Sequence, residues 1–257
     1  MLVHVVIPVY NEEQQLRSSV TRLAEFMGKC CRFDWEIIIA NNASTDRTLE
    51  IAHALSEELP GVQVLHLSEK GRGRALMAAW KTSDADILTY MDVDLSTDLS
   101  AFPPMIEALA CGGFDLGTGS RLLKPELTTR SLKREFISRC YNLLIRLMFR
   151  TRFSDAQCGF KAITKAAARD LLPAIEDTGW FFDTELLILA EIFGYRLFDL
   201  PVRWIDDPDS RVKIVRTAYD DIRGLIRVKR AVWAGKYGPV AGRTRFFGPA
   251  ISSPPTP

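Results

Sequence analysis

Two aspartates separated by one residue, Asp92 and Asp94, follow the apolar run Ile87-Leu88-Thr89-Tyr90-Met91. Carboxylates this close repel each other and shift their pKa values unless a cation lies beside them. Mg²⁺ or Mn²⁺ supplies such a cation, and Mg²⁺ usually binds through one or two carboxylates plus the phosphates of a substrate. In open α/β sheets ligands collect outside the carboxyl ends of the strands, which is where an apolar run ending in Asp-Val-Asp puts its carboxylates. Asp-x-Asp is also a common pattern, and Asp94, Ser96 or Asp98 would serve equally as the cap of a following helix.

Other polar segments of the same placement surround this pair. Tyr10-Asn11-Glu12 closes the β-branched run Val3–Val9. Asn41-Asn42-Ala43-Ser44-Thr45-Asp46 follows Trp35–Ala40, whose consecutive Ile37, Ile38 and Ile39 suit a strand buried on both faces. Lys70-Gly71-Arg72-Gly73 follows Val62–Leu67. With 86–91 as a fourth strand, all four polar segments lie at carboxyl ends and converge on one rim. Gly71-x-Gly73 also matches part of a dinucleotide fingerprint, but Leu76 stands where the third glycine belongs and the segment follows the third strand instead of the first.

The elements that position these segments alternate. Glu13–Met27 has helical spacing in Leu16, Val20, Leu23, Phe26 and Met27. Ser44-Thr45-Asp46 caps a helix that runs to Leu59 and ends at Pro60-Gly61, and Arg74–Ser83 is a third helix. Strands and helices in this order predict an α/β domain with a mostly parallel sheet. In the second half, strands are expected at 115–119, 159–164 and 196–201, and helices at 133–149, 165–172, 184–193 and 217–232. From Gly235 onward Gly, Pro, Arg and Ser accumulate, so 235–257 is expected to be a disordered tail.

The whole-chain composition excludes several classes. Hydrophobic residues make up 47% of the 257, and 33 Lys plus Arg against 32 Asp plus Glu leave a net charge of +1, which is not the composition of a disordered chain. That balance also argues against a nucleic-acid protein coated in Lys and Arg, although net charge hides segregation. No apolar run reaches the roughly 18 residues that a spanning helix needs. The start, MLVHVVIPVYNEE, lacks a basic leader region and reads as a core strand, not a signal peptide. Five Cys without CxxC spacing and three scattered His fit reduced thiols better than a disulfide framework or a zinc site.

Taken together, the four rim segments resemble the family 2 glycosyltransferases. The second half sharpens the likeness: Gly119-Ser120-Arg121, Asp155-Ala156-Gln157-Cys158-Gly159-Phe160-Lys161, Trp180-Phe181-Phe182-Asp183-Thr184-Glu185 and Pro201-Val202-Arg203-Trp204 resemble the polyprenyl-phosphate (dolichyl-phosphate) sugar synthases, the glucosyl-type branch most of all. The resemblance covers residues 3–230. It implies a GT-A fold, a Rossmann-like mostly parallel sheet flanked by helices, in a single catalytic domain over 1–230. Within it, 1–120 would bind the nucleotide-sugar, 121–212 the acceptor, and 213–234 would form a basic amphipathic helix.

The resemblance also implies roles. Pro8, Tyr10 and Glu12 match the first nucleotide-binding loop. Asn41 and Asn42 stand where the family usually has two aspartates, one of which contacts the base. An amide oxygen still accepts the uracil N3–H, whereas guanine's adjacent donors suit a carboxylate better, so the departure favours UDP over GDP. Lys70 and Arg72 would lie against the diphosphate. Asp92 and Asp94 carry over as the metal–diphosphate motif, with Asp94 the direct ligand and Ser96 where some relatives have Gln. Arg121, Lys161 and Arg211 would meet the acceptor phosphate, Arg through its bidentate fork. Asp155 matches the position taken as catalytic base, with Gln157 and Arg121 beside it. Because a phosphate monoester has a second pKa near 6, Asp155 would orient the acceptor more than deprotonate it. Asp183 and Glu185 are further carboxylates, and Asp183 would equally cap a helix.

Basic residues are concentrated where helices are expected. Arg121, Lys124, Arg130, Lys133, Arg134, Arg139, Arg146, Arg150 and Arg152 face only Glu126 and Glu135 in that stretch, interleaved with Phe136, Tyr141, Leu144, Leu147 and Phe149. A second basic stretch spans Arg211–Lys236 with Ile222, Ile226 and Trp233. Basic amphipathic helices with aromatic anchors suit an anionic bilayer surface, although most such helices pack their apolar face on a core. The expectation is an inverting transferase, peripheral at the cytosolic membrane face, moving a sugar from a UDP-sugar to a polyprenyl monophosphate, without nucleic acid. The alternatives are a GDP-mannose enzyme, a different glycan or glycolipid acceptor, or a silent nucleotide-sugar module that recruits a membrane protein.

Overall fold

The computed structural model describes residues 1–129, 131–205 and 214–238. In chain order the elements are β1 (Leu2–Val9), α1 (Leu16–Cys30), β2 (Asp34–Asn42), α2 (Thr48–Glu58), β3 (Val62–Leu67), α3 (Arg72–Thr82), β4 (Ile87–Met91), α4 (Phe102–Ala110) and β5 (Leu116–Ser120). Then follow β6 (Thr128–Thr129), α5 (Leu132–Phe149), β7 (Phe160–Thr164), α6 (Lys165–Leu171), α7 (Phe182–Ile192), β8 (Leu197–Pro201), β9 (Trp204–Ile205) and α8 (Ile214–Trp233). The expected tail beyond residue 238 and Arg211 lie outside the described residues.

Seven strands form one sheet in the order β3-β2-β1-β4-β7-β5-β8. β1 to β4 are parallel neighbours, and β7 is antiparallel to both β4 and β5. The single reversed strand draws the second half of the chain into the sheet beside β4. A two-stranded parallel pair, β6 with β9, stands apart from it.

The period-2 alternation of the strands divides the core. Val3, Val5, Ile7 and Val9 of β1 and Ile37 and Ile39 of β2 face α1 and α4, while Val6, Ile38 and Ala40 face α3, α6 and α7. Each layer of helices therefore meets one face of the same strands. α7 is buried around its whole circumference, including Asp183, Glu185 and Glu191. Three buried carboxylates must each find a partner, because an isolated buried charge is very costly. Those partners build much of the site.

Two helix starts differ from the sequence reading for a tertiary reason. α3 begins at Arg72, not Arg74, because the Gly73 and Arg74 N–H groups donate to the Gly179 and Thr178 carbonyls at 3.1 and 3.0 Å. α7 begins at Phe182, not Thr184, so Asp183 lies inside its first turn and does not cap it; Phe181 holds the cap position without a side-chain bond.

Candidate active site

The loops after β1, β2 and β4 each contain a non-glycine residue in the left-handed region: Asn11 (φ 57°), Ala43 (φ 57°) and Leu95 (φ 47°). Each costs on the order of 1–2 kcal/mol, and strain of this kind clusters where a backbone is shaped for a ligand. The first two loops are joined. Asn11 Oδ1 accepts the Thr45 N–H at 2.8 Å, and the Glu12 N–H donates to Thr48 Oγ1 at 2.8 Å. Pro8 pairs with Ala40, yet the β1–β4 register ends at Val6–Tyr90. Pro8 has no N–H to continue a ladder, and the strands part just below the Asp92 level.

Asn41 and Asn42 end β2 and are both buried. Asn42 Oδ1 accepts the Gly71 N–H at 2.7 Å, so this amide holds the Lys70–Gly73 segment instead of presenting itself to a base. Asn41 Nδ2 lies 2.8 Å from His66 Nδ1, and Asn41 Oδ1 is buried with no partner among the described residues. The Lys70 ammonium sits 3.4 Å from the centre of the Tyr10 ring, a cation–π contact between two rim loops.

Arg72 organises the centre. Its two terminal nitrogens each lie 2.6 Å from a carboxylate, Asp92 Oδ1 and Asp183 Oδ2, and its guanidinium stacks near the Tyr90 and Trp180 rings. The Tyr90 hydroxyl donates to Asp183 Oδ1. Burial alone would raise the Asp183 carboxyl, but Lys161 and Arg72 hold it below the usual range. Burial also drives the Tyr90 phenol well above its ordinary value, reinforced by Asp183. Arg72 and Lys161 thus balance Asp92 and Asp183 charge for charge.

Lys161 is placed differently from the expectation that it meets an acceptor phosphate. It is wholly buried in β7, its ammonium donating to the Cys158 carbonyl at 2.8 Å and lying 3.6 Å from Asp183 Oδ1. A strand covered on both faces leaves its side chain no route to solvent, and its charge serves Asp183.

Asp92 is partly exposed beyond β4, and its N–H donates to the Gly159 carbonyl at 3.1 Å. A Cβ at Gly159 would overlap Asp92 Oδ2, so glycine here is what lets the 155–161 segment pass the aspartate. Asp94 is half-buried and its Oδ1 accepts the Ser96 N–H at 2.9 Å. The helix-capping alternative falls to Asp98, whose Oδ1 accepts the Ser100 N–H at 2.9 Å at the start of a 3₁₀ turn. Among the described residues no three His, Cys, Asp or Glu side chains gather to hold a metal ion. Two carboxylates at a strand end, one already steadied by Arg72, fit a cation whose remaining ligands are substrate phosphates and water.

Four residues before Gly159, Asp155 is fully buried. Arg121 grips it in a fork, Nε to Oδ2 at 2.7 Å and Nη2 to Oδ1 at 2.9 Å, and the Arg121 N–H adds a third bond at 3.1 Å. Burial would raise this carboxyl, and the Arg121 guanidinium overrides it to hold it below the usual range. An ion-paired, buried carboxylate of lowered pKa is a poor proton acceptor, and in this arrangement Asp155 holds the Arg121 guanidinium. Arg121 also lies 4.9 Å from the Trp204 ring centre. Gln157 donates through Nε2 to Asp221 Oδ2 at 2.7 Å.

The carboxylates of α7 and β8 complete the support. Glu191 Oε1 accepts the Arg152 and Phe153 N–H groups at 2.8 and 3.1 Å, and Asp199 Oδ2 accepts the Ser154 N–H at 2.7 Å. Three successive amides before Asp155 are thereby fixed. Sequence reasoning missed Asp199, Glu191 and Asp221; acids inside apolar element patterns were the available signal. A cleft of about 350 Å³ opens beside Trp180, between the 177–181 loop and α8, lined by Asp177, Thr217, Asp220, Arg223 and Arg227.

The chain is 36% identical over 234 residues to glycosyltransferase AglD of Haloferax volcanii, an alignment covering 90% of this chain and 37% of that protein. It is 28% identical over 245 residues to dolichyl-phosphate beta-glucosyltransferase ALG5C of Trichomonas vaginalis, covering 90% of this chain and 73% of that one. Among solved structures, glucosyl-3-phosphoglycerate synthase from Mycobacterium tuberculosis, in complex with Mn²⁺, UDP and phosphoglyceric acid, superposes with a TM-score of 0.62 at 17% identity, over 94% of this chain and 80% of that one. The sheet order and flanking helices are those of a GT-A fold. The glycosyl transferase family 2 model matches residues 4–172, and the chain belongs to that family.

Proposed function

We propose that this glycosyltransferase transfers a hexose from a UDP-sugar to a polyprenyl or dolichyl monophosphate, with inversion, giving a β-linked lipid-phosphate sugar. The observation that carries this reading is the placement of Asp92 and Asp94 at the end of β4, with the Arg121–Asp155 pair near enough for Asp92 to add to the raising of the Arg121 guanidinium. One side offers a diphosphate site and the other a cation held for a second phosphate. The relatives point the same way, since ALG5C is named a dolichyl-phosphate beta-glucosyltransferase.

In the reaction the acceptor phosphate oxygen attacks the anomeric carbon while the bond from that carbon to the UDP oxygen breaks. A phosphate monoester is mostly dianionic at neutral pH, so no strong base is needed. Arg121, fixed by Asp155 and by Trp204, holds the acceptor phosphate in line. Lys70 and the Gly71–Gly73 segment take the donor diphosphate, with Asn42 setting the loop and Tyr10 and Glu12 walling the nucleotide. Asn41, with an unpartnered buried Oδ1 suited to a ring N–H donor, favours uracil. Asp94, with Asp92, would hold Mg²⁺ or Mn²⁺, which when bound supplies Lewis-acid stabilisation of the departing diphosphate.

The chain meets its lipid acceptor from a membrane surface, on the cytosolic face. Among the described residues no helix is long and apolar enough to cross a membrane. α5 nevertheless carries two stripes at helical spacing. Ser138, Asn142, Ile145 and Phe149 face inward, whereas Phe136, Leu143 and Leu147 are exposed at 70, 54 and 72%. α8 likewise turns Leu225 and Val228 inward and leaves Ile222, Ile226 and Trp233 exposed, with Arg223 and Arg230 beside them. Exposed apolar stripes flanked by cations fit an anionic interface. The test incubates the protein with Mn²⁺, anionic vesicles bearing polyprenyl phosphate, and labelled UDP- or GDP-sugars. The expected result is a lipid-linked product from a UDP-sugar with a β-anomeric signal by NMR. Binding of UDP-sugar without any turnover would instead identify a silent module, and turnover of GDP-mannose alone would refute the donor assignment.

A further inference from the structure

Asp221 is an ionisable group near the site that the transfer chemistry leaves unused and that its described surroundings leave incomplete. It lies on the inward face of α8 with Gly224, Leu225 and Val228 and is 4% exposed. Its Oδ2 accepts the Gln157 amide, while its Oδ1 is buried with no hydrogen-bond partner among the described residues. The groups that act on it include Asp177 from the loop before α7, Asp183 from α7, Asp220 from α8 and the Tyr141 phenol from α5, while Arg223 and Arg227 of α8 line the adjoining cleft with Asp177 and Asp220. Asp183 is already balanced by Arg72 and Lys161. Burial, reinforced by Asp177, Asp220 and Asp183, pushes the Asp221 carboxyl up to about 7 against the lowering effect of Gln157.

Gln157 is the link between this group and the acceptor side. Its backbone N–H donates to Asp155 Oδ1 at 3.2 Å while its side chain reaches Asp221, so this one residue links α8 to the Asp155–Arg121 pair. The opposite face of α8 is the exposed apolar one. We propose that Asp221 is a positioning residue for the transfer reaction: its ionised form holds the Gln157 side chain, and with it the segment whose backbone N–H meets Asp155, and its protonation releases that side chain. This rests on the transferase reading above. An ionised carboxylate is an acceptor only, and a charge-assisted hydrogen bond is about twice as strong as a neutral one. Protonation therefore weakens the hold on Gln157 and gives the carboxyl a proton of its own to place.

Two readouts on the full chain test this. The first follows the Gln157 side-chain amide by ¹⁵N NMR against pH. Its resonances are expected to shift with a midpoint near that of Asp221, about 7, and to lose that transition in Asp221→Asn. The isosteric amide keeps an oxygen to accept from Gln157 while removing the titration. The second compares pH profiles of kcat. Wild type is expected to rise through the same midpoint, and Asp221→Asn to lack that limb while keeping the one near 6 that belongs to the acceptor phosphate. Asp221→Ala is expected to lower kcat about tenfold or more with the donor KM unchanged. A Gln157 amide that ignores pH, or an Asp221→Asn profile matching wild type, would overturn the proposal. A titrating Gln157 in a protein that transfers from no donor would refute the transferase reading and still establish the Asp221–Gln157 link.

Discussion

Asp155 and Asp199 lie on either side of Ser154, and their environments push them in opposite directions. Asp155 is ion-paired and held below the usual range, so its contribution to stability is present above the unfolded carboxylate value of about 3.9 and is lost as pH falls through its lower folded value. Asp155→Asn leaves Arg121 buried without its counter-charge and is expected to cost roughly 3–5 kcal/mol near neutral pH, a gap that urea melts should show narrowing in acid. Asp199 is raised to about 6 by burial, with Asp155 and Glu191 adding repulsion and no cation among the described residues pairing with it. The sign is reversed: its contribution is fully present below the unfolded value and is lost as pH rises through about 6. Asp199→Asn, which keeps an oxygen for the Ser154 N–H, is therefore expected to stabilise the fold by on the order of 2 kcal/mol at pH 8 and by nothing near pH 4. Equal effects at both pH values would show that the Asp199 charge carries no cost.

The elements meet so closely that small residues decide the fit. A Cβ on Gly73 would lie 2.7 Å from Phe182 Cβ and 3.0 Å from the Thr178 carbonyl carbon. Gly73→Ala must push the start of α3 away from α7, at an expected cost of about 1–3 kcal/mol, and a thermal melt together with UDP calorimetry would show both loosened stability and weakened binding. This junction also marks where the sequence stopped being legible. Strand runs such as Ile37–Ile39 and Val62–Leu67 report burial directly, so the β1–β4 order and its four rim loops were readable from hydrophobic period and turn chemistry. Arg72 and Lys161 were expected to meet phosphates, and the structure instead gives them buried carboxylate partners. Asp183 lies 111 positions from Arg72 in sequence, and only the packing of a fully buried α7 against α3 brings them together. Asp199 and Asp221 carried only the faint signal of an acid inside an apolar pattern, each being an ordinary acid until the fold removes its water.

At the scale of the whole molecule, the near-neutral charge conceals a division of labour. Asp92, Asp183, Asp155 and Glu185 are matched internally by Arg72, Lys161, Arg121 and Arg227, whereas cations of α5 and α8 flank exposed apolar side chains. Flotation with anionic vesicles is expected at low salt and should be lost in Leu147→Glu/Trp233→Ser, with the melting temperature unchanged because both side chains are solvent-exposed. Retained flotation in that double variant would move the docking face elsewhere. The central claim is that the Asp92–Asp94 rim and the Arg121–Asp155 pair join a sugar to a lipid phosphate. Its most direct test is the initial rate of labelled-sugar transfer from UDP-glucose into solvent-extractable polyprenyl phosphate, compared between wild type and Asp94→Ala. The expected result is a lipid-linked product from wild type and a rate lowered by at least about 100-fold in the variant. No lipid-linked product from wild type, or an undiminished rate in Asp94→Ala, would contradict it.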